Sequence, residues 1–326
     1  MITVARMARV LRKVFEQDAR ALAREMGVIK RERKVNGATL VLLLVLGWLH
    51  EPQAGPSALA RFAGSLGVTI SKQGIEDHWT YSTAEWLYAV LLRAVQCLIS
   101  AKAVALPLLQ RFAGVYIEDG STIRLPDGLE RYWRGCRGGN GQAKGTKAGV
   151  KLTLRLELSE GTLYGPLLQD GRRHESTSLL QQPLVKGALW IADLGYFALV
   201  RLAQLSQAGV YFLMPLKDGV LTWLAGKRVD ILEVLQAHAE QEEQEYEIVL
   251  GAGKQVPCRL FARRVTAAQI KRRHEAQDEY ARKHGTQVTQ RQRDWAAWTL
   301  VISNVPACLL SLAEAFVLLR VRWQIE

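Results

Sequence analysis

Three carboxylates stand out by position in a sequence of 326 residues. Asp119 ends the apolar run "GVYIED", Asp193 ends "ALWIAD", and Glu326 closes "LLRVRWQIE". The first two runs read as short buried strands that exit on an acid. In an open sheet with parallel neighbours, adjacent strand exits bring such side chains within a few ångströms, at the edge where ligands bind. Carboxylates held that close repel, and the pair is stable only if one protonates or a divalent cation neutralises both. Hard oxygen ligands select Mg²⁺ or Mn²⁺ over zinc. A third carboxylate on a helix packed against the sheet would complete a two-metal site, and Glu326 is placed for that role. Leu319, Arg322 and Glu326 share one helical face. Arg322 and Glu326 form an i,i+4 pair that orders the carboxylate and offers charge to a phosphate. Taken singly, an aspartate ending a strand is more often a turn or helix cap.

The elements that must position these acids begin near residue 112. After "GVYIED", the stretch "KLTLRLELSEGTLYGPLL" alternates Leu152, Leu154, Leu156 and Leu158 with Thr153, Arg155 and Glu157. This predicts a half-buried antiparallel hairpin turning at Ser159–Gly161. "STSLLQQPLVKG" reads as a helix, "ALWIADLGYF" as a strand, "ALVRLAQLSQAG" as a helix and "VYFLMPLK" as a third buried strand. The order predicts a mixed sheet. Residues 218–298 break this grammar with the strands "EYEIVLGAG" and "VPCRLFARRV" and a long charged stretch, and read as an insertion. Core-type signals resume at "WTLVISNVP" and "LSLAEAFVLLRVRWQIE".

Residues 1–105 read as helical, with breaks near Gly37, Pro52–Pro56 and Gly67. Within them Pro56–Trp79 has a helix–turn–helix rhythm, with Ser57 and Ser71 as prospective caps. A DNA-contacting motif and an ordinary helical hairpin both fit. The formal charge of +12 suits a polyanionic partner through phosphate neutralisation. An acidic membrane surface is the competing partner, and a solvated basic surface the plainer reading. The four cysteines are widely spaced, against a zinc site or disulfide framework and in keeping with a reducing cytoplasm. The N-terminus lacks a signal-peptide core, and Ala38–Leu49 is too short to cross a bilayer.

These residues carry a resemblance. "YIEDGSTIRLP", "WIADLGYF" and "WTLVISNVP…LLRVRWQIE" are similar to the stretches around the three acids of insertion-sequence-four transposases, of the DDE class. Arg322 and Glu326 fit the family pattern of Tyr, Arg, Glu and Lys near its glutamate. The resemblance implies a ribonuclease-H-like core, a mixed five-stranded sheet with helices, behind a helical N-terminal domain and around a β-rich insertion. The expected boundaries are 1–105, 106–217, 218–298 and 299–326, the insertion being the third. It further implies metal-dependent cleavage of insertion-sequence ends and strand transfer into target DNA. Asp119, Asp193 and Glu326 would hold two Mg²⁺ or Mn²⁺ ions, with Asp119 bridging them. Arg320 and Arg322 would contact phosphates, and Trp323 and Trp298 would stack on a distorted base unless they belong to the core. The implied partners are double-stranded DNA, as terminal inverted repeats and target, and a second copy of the chain in a homodimer. The setting is the bacterial cytoplasm and nucleoid, with no membrane.

Leu319 stands where the family has tyrosine, and the expected lysine seven residues beyond Glu326 has no counterpart. The alternative expectation is therefore a truncated, inactive DNA-binding remnant that occupies element ends. Among other candidates, Lys144, Lys147 and Lys151 in "KGTKAGVK" suit a phosphate grip or a solvated loop, and strand alternation turns Glu118 away from Asp119. His174 and His274 have no nucleophile at catalytic spacing.

Overall fold

The computed structural model describes residues 4–32, 34–98, 106–136, 146–174, 183–253 and 256–321. They form two compact units, residues 1–101 and 102–326.

The first unit is helical. α1 (Val4–Lys13) runs through a π-helical stretch, Val14–Asp18, into α2 (Ala19–Glu25). α3 (Gly37–His50), α4 (Pro56–Ser65), α5 (Lys72–Glu76) and α6 (Tyr81–Leu98) follow. Asn36 and Thr39 form a capping box that starts α3. The apolar run Ala38–Leu49 lies in this helix, with Leu40, Val41, Leu43 and Leu44 buried and Leu49 exposed, and Leu40, Leu44, Leu59, Ile75 and Trp86 make the core. Trp86 satisfies its ring nitrogen by donating to the Ala19 carbonyl at 2.9 Å. Among the described residues no helix is long and apolar enough to cross a membrane.

Ser71 does cap α5, accepting from the Gly74 amide at 3.1 Å. Ser57 does not cap α4. Gly55 holds the N-cap position and Pro56 the first helical position, where its missing N–H costs nothing. α3 is seated closely on α2: a Cβ at Gly37 would lie 2.7 Å from the Ala19 carbonyl oxygen and 2.8 Å from the Arg20 Cα. Gly37→Ala is therefore expected to destabilise this unit by about 1–3 kcal/mol through overpacking, although alanine is the better helix former. Denaturant unfolding measures this, and an unchanged or raised stability would show that α3 can slide without cost.

The second unit is one ten-stranded sheet with helices. In chain order its elements are β1 (Val115–Leu125), β2 (Ala148–Glu157), β3 (Thr162–Asp170), β4 (Leu189–Ala192), α7 (Leu199–Gln207) and β5 (Tyr211–Pro215). There follow β6 (Thr222–Leu224), β7 (Lys227–Val229), α8 (Ile231–Gln236), β8 (Glu243–Leu250), β9 (Val256–Arg264), α9 (Ala267–His284), α10 (Gln290–Ala296), β10 (Trp298–Ser303) and α11 (Leu312–Val321). The strand order is β3-β2-β1-β4-β5-β10-β9-β8-β6-β7. β1, β4 and β5 are mutually parallel, and every other pair is antiparallel. The expected five-stranded sheet is thus only part of it. β10 hydrogen-bonds to β5 on one side and β9 on the other, so β6–β9 continue the same sheet and satisfy an edge that would otherwise be bare.

Three local expectations are corrected. First, β1 does not exit at Asp119 but continues to Leu125, because β2 pairs with it along its length, from Tyr116↔Glu157 to Leu125↔Ala148. Second, the β2 alternation holds only in part. Leu156 and Leu158 are buried as expected, but Lys151, Thr153, Arg155 and Glu157 are buried as well, while Leu152 and Leu154 are half-exposed. The polar set is buried because it is paired. Arg155 meets Glu118, Lys151 donates to the Arg173 carbonyl at 2.8 Å, and Glu157 accepts the Val115 amide at 3.2 Å. Third, the described part of "STSLLQQPLVKG", residues 183–187, is not helical. It turns at Gly187, whose φ of +83° suits glycine alone. Residues 175–182 lie outside the described residues.

The sheet's two faces follow from the register. Tyr116, Glu118, Trp190, Ala192, Phe212, Met214, Trp298, Leu300 and Ile302 line one face, the main core, over α7 and α8. Val115, Ile117, Asp119, Leu189, Ile191, Leu213 and Val301 line the other.

Candidate active site

Asp119 and Asp193 meet through strand register. β1 and β4 pair in parallel as Val115↔Leu189, Tyr116↔Trp190, Ile117↔Ile191 and Glu118↔Ala192. The next step along both chains is Asp119 beside Asp193. Asp193 keeps extended backbone (φ −83°, ψ 170°), so alternation carries it to the same face as Asp119. Parallel neighbours lie about 4.8 Å apart, so the two backbones hold the carboxylates side by side. β4 ends here while β1 runs on, which leaves Asp119 half-buried in mid-strand and Asp193 half-buried at a strand end.

Each carboxylate is oriented locally. Asp193 accepts from the Leu194 amide at 2.6 Å and so starts a 3-10 turn, Leu194–Tyr196. Asp119 Oδ1 accepts from the Gly120 amide at 2.9 Å. Asp193 is therefore a cap, as the plainer reading of a strand-ending aspartate has it.

Beneath the pair, on the core face, lies a charged cluster. Glu118 is fully buried and accepts from Arg155 Nε at 3.0 Å and Nη2 at 2.8 Å, and from Trp190 Nε1 at 3.2 Å. Arg201, from α7, approaches Glu118 at 3.5 Å and stacks over the Trp190 ring at 4.2 Å. Burial lowers the pKa of Arg201 below the usual guanidinium range, although Glu118 pulls it the other way. The alternation that turns Glu118 away from Asp119 is present in the fold. Arg155 and Arg201 as its partners had no sequence signal beyond an arginine in an apolar strand and another in an amphipathic helix.

α11 belongs to the carboxylate face. It packs against β5, and its Phe316 lies 4.1 Å under Arg263 of β9. Its start is tied to the residues before β1: Arg111 donates to the Leu309 carbonyl at 3.0 Å and to Glu314 at 3.1 Å. The helix therefore begins at the edge where β1 enters the sheet and runs toward the edge bearing Asp119 and Asp193. Arg320 is exposed in its last turn. Glu326, Arg322 and Trp323 lie outside the described residues. Trp298 starts β10 and belongs to the core of the opposite face, 6% exposed, so the fold does not bring it to the aspartates. Lys147, just before β2, is exposed and lies 3.6 Å from Asp127.

The start of α11 has its own lock. Ser311 and Glu314 exchange bonds as a capping box, at 2.9 and 3.3 Å, a pattern readable in "SLAE" that the sequence reading did not take up. The Ser311 amide first, and then Arg111 and the Ser311 hydroxyl, hold the Glu314 carboxyl below its ordinary value of 4.5 against the opposing effect of burial. A depressed carboxyl contributes stability that is present above its unfolded value and lost as pH falls through the folded one. The α11 anchor is accordingly expected to loosen as pH falls below about 4.5, and Glu314→Gln to remove most of that dependence. Hydrogen exchange of the α11 amides reads it. Identical pH profiles in the two proteins would remove Glu314 as the cause.

A family model for the transposase DDE domain matches residues 110–326, the stretch that holds the sheet, both aspartates and α11. The chain belongs to the DDE transposase family. It is similar to the transposase for insertion sequence element IS231F of Bacillus thuringiensis subsp. israelensis, 25% identical over 329 residues, covering 94% of this chain and 68% of the relative. It is as similar to the transposase for insertion sequence element IS231B of subsp. berliner, 25% identical over 332 residues, covering 94% and 67%. The transposase for insertion sequence element IS1151 of Clostridium perfringens is 23% identical over 235 residues, covering 66% and 49%.

Members of this family act on DNA with divalent metal ions. The donor set here fits such an ion: two half-buried carboxylates, adjacent in register and facing the same way, are hard oxygen ligands. No group of three or more potential metal ligands occurs among the described residues, so the third would come from elsewhere.

Proposed function

We propose that this chain cuts the ends of an insertion sequence and joins the freed 3′-hydroxyl to target DNA, with Asp119, Asp193 and Glu326 as the metal ligands. The observation that carries this reading is the register step that sets Asp119 beside Asp193 on the face along which α11 runs. Two Mg²⁺ or Mn²⁺ ions bound there supply activation of a water or 3′-hydroxyl and stabilisation of the departing oxygen. The chain's own residues do the rest. The Leu194 and Gly120 amides fix the two carboxylates in place. Arg320 and Arg322 hold backbone phosphates, Trp323 stacks on a distorted base, and Glu326 is the third ligand. The first unit is the natural place for recognition of the terminal repeats, with α4, the Gly67 turn and α5 as its helical hairpin. Synapsis of two ends would join two copies of the chain.

The test is incubation with supercoiled plasmid carrying the element's own two ends, with Mg²⁺, with Mn²⁺ and with chelator. Metal-dependent nicks at the ends, followed by joined products, are expected. End-specific binding with no nick under either metal would leave a DNA-binding protein without the proposed chemistry.

A further inference from the structure

A second cationic feature lies along the β1–β2 hairpin, beyond the aspartates. Six residues of extended strand separate Asp119 from Leu125, about 20 Å at ~3.4 Å each. At that end Arg131, Arg134, Lys147 and Arg172 line a hollow of about 900 Å³ with Glu130. Lys147 has Asp127 as a partner, and Arg131 lies over the Tyr132 ring at 4.4 Å. Arg134 and Arg172 make no ion pair among the described residues.

The hollow is built by the backbone. Residues 133–136 fold across the start of β2: the Gly135 amide donates to the Lys147 carbonyl at 2.7 Å, and the Gly149 amide to that of Trp133 at 3.1 Å. The far side is closed by Gly171 donating to Gly149 at 2.8 Å and Arg172 to Arg134 at 3.1 Å. Only glycine fits two of these crossings. A Cβ at Gly135 would lie 2.2 Å from the Thr146 carbonyl oxygen, and one at Gly171 would lie 2.9 Å from that of Gly149. The main chains of Arg134 and Arg172 are thus joined and lie beside one another, with Glu130 as the acid among the described lining residues.

We propose that this hollow grips the backbone of duplex DNA whose scissile bond lies at Asp119 and Asp193, with Arg134 and Arg172 as the phosphate contacts. The space is too large for one phosphate, and its cations come from three separate segments, which suits successive phosphates along a strand. Guanidiniums favour phosphate oxygens through paired, charge-assisted bonds. At ~3.4 Å per base step, 20 Å spans roughly six base pairs, so one duplex can reach both places. This rests on the reading of the chain as a DNA-cutting enzyme.

The experiment is a salt titration of binding to a 40-base-pair duplex of fixed arbitrary sequence, using the full chain, R134Q/R172Q, R134K/R172K and the control R272Q/R282Q. The control removes two exposed arginines from α9 and changes net charge equally. Loss of two phosphate contacts lowers the slope of log K against log salt by about 1.8 and weakens binding on the order of tenfold or more near 0.1 M salt. That result is expected for R134Q/R172Q, with the lysine pair retaining most of the slope and the control changing it by less than a third as much. Equal losses in the two glutamine pairs, or none in either, would overturn the inference. So would loss of the slope in the lysine pair with its melting temperature unchanged. If the unaltered chain fails to bind the duplex at all, the inference and the DNA-cutting reading fall together. If it binds and R134Q/R172Q matches it, only the hollow is refuted.

Discussion

Asp119→Asn and Asp193→Asn are each expected to lower metal-dependent nicking by roughly 10³-fold, since metal stabilisation of a developing charge is worth several kcal/mol and ~1.4 kcal/mol is tenfold. Asparagine is the informative replacement. Its side-chain oxygen still accepts from the Leu194 or Gly120 amide, so the local turns survive while the charge that a cation needs is gone. A cap and a metal ligand therefore predict different things. If Asp193 is only a cap, Asp193→Asn leaves activity intact and Asp193→Ala costs about 1 kcal/mol of stability. If it is a ligand, asparagine already removes activity at unchanged stability. Binding to duplex DNA should stay within a few-fold in both variants. Glu247→Gln, at an 82% exposed side chain on β8, serves as the control and should nick normally. Nicking within tenfold of the unaltered chain in either asparagine variant would remove that residue from the site.

The second large effect is structural. Glu118→Leu leaves Arg155 and Arg201 facing each other in the core, at side chains 4% and 9% exposed. Removing one member of a buried ion pair costs about 3–5 kcal/mol, because the remaining charge has no water to turn to. Here two guanidiniums share one carboxylate, and Arg201 Nε and Nη1 have no hydrogen-bond partner among the described residues, so the upper part of that range is expected. Equilibrium unfolding of the chain measures it. The double change Glu118→Leu with Arg155→Met should recover part of the loss, since an apolar replacement of the whole pair is often tolerated. A single-variant loss below about 1 kcal/mol would mean that water reaches the cluster freely.

The site was legible where a strand announced its own end. "LWIAD" is four apolar residues and an acid, and β4 is Leu189–Ala192 with Asp193 as the cap. β1 was not legible past Asp119, because "GSTIRL" has neither an apolar run nor strict alternation. Its extended form comes from pairing with β2, a partner at long range. β2 shows a different limit. Alternation told which residues share a face but not which face is covered; Leu156 and Leu158 are buried, and so are Lys151, Thr153, Arg155 and Glu157, because each found a partner. The Ser57 cap failed on one residue: Pro56 took the first helical position and moved the cap to Gly55. The insertion's strands were visible in "EYEIVLGAG" and "VPCRLFARRV", but their union with the core sheet was not. Edge-to-edge pairing leaves no mark on composition.

That union bears on how the architecture could be trimmed. Chain that enters a fold between two strands is commonly a detachable ornament, free to shrink or vanish in related molecules. Here β10 is sandwiched between β5 and β9, and its ladder toward β9 runs from Trp298↔Arg264 to Ser303↔Arg259. A shortened molecule lacking residues 218–297 would present that ladder to water, as a six-residue edge ready to recruit a strand from another chain. Shortening this segment is therefore a change in oligomerisation tendency as well as in length. The segment, with four of the ten strands, is better regarded as part of the sheet's hydrogen-bonded frame than as an appendage.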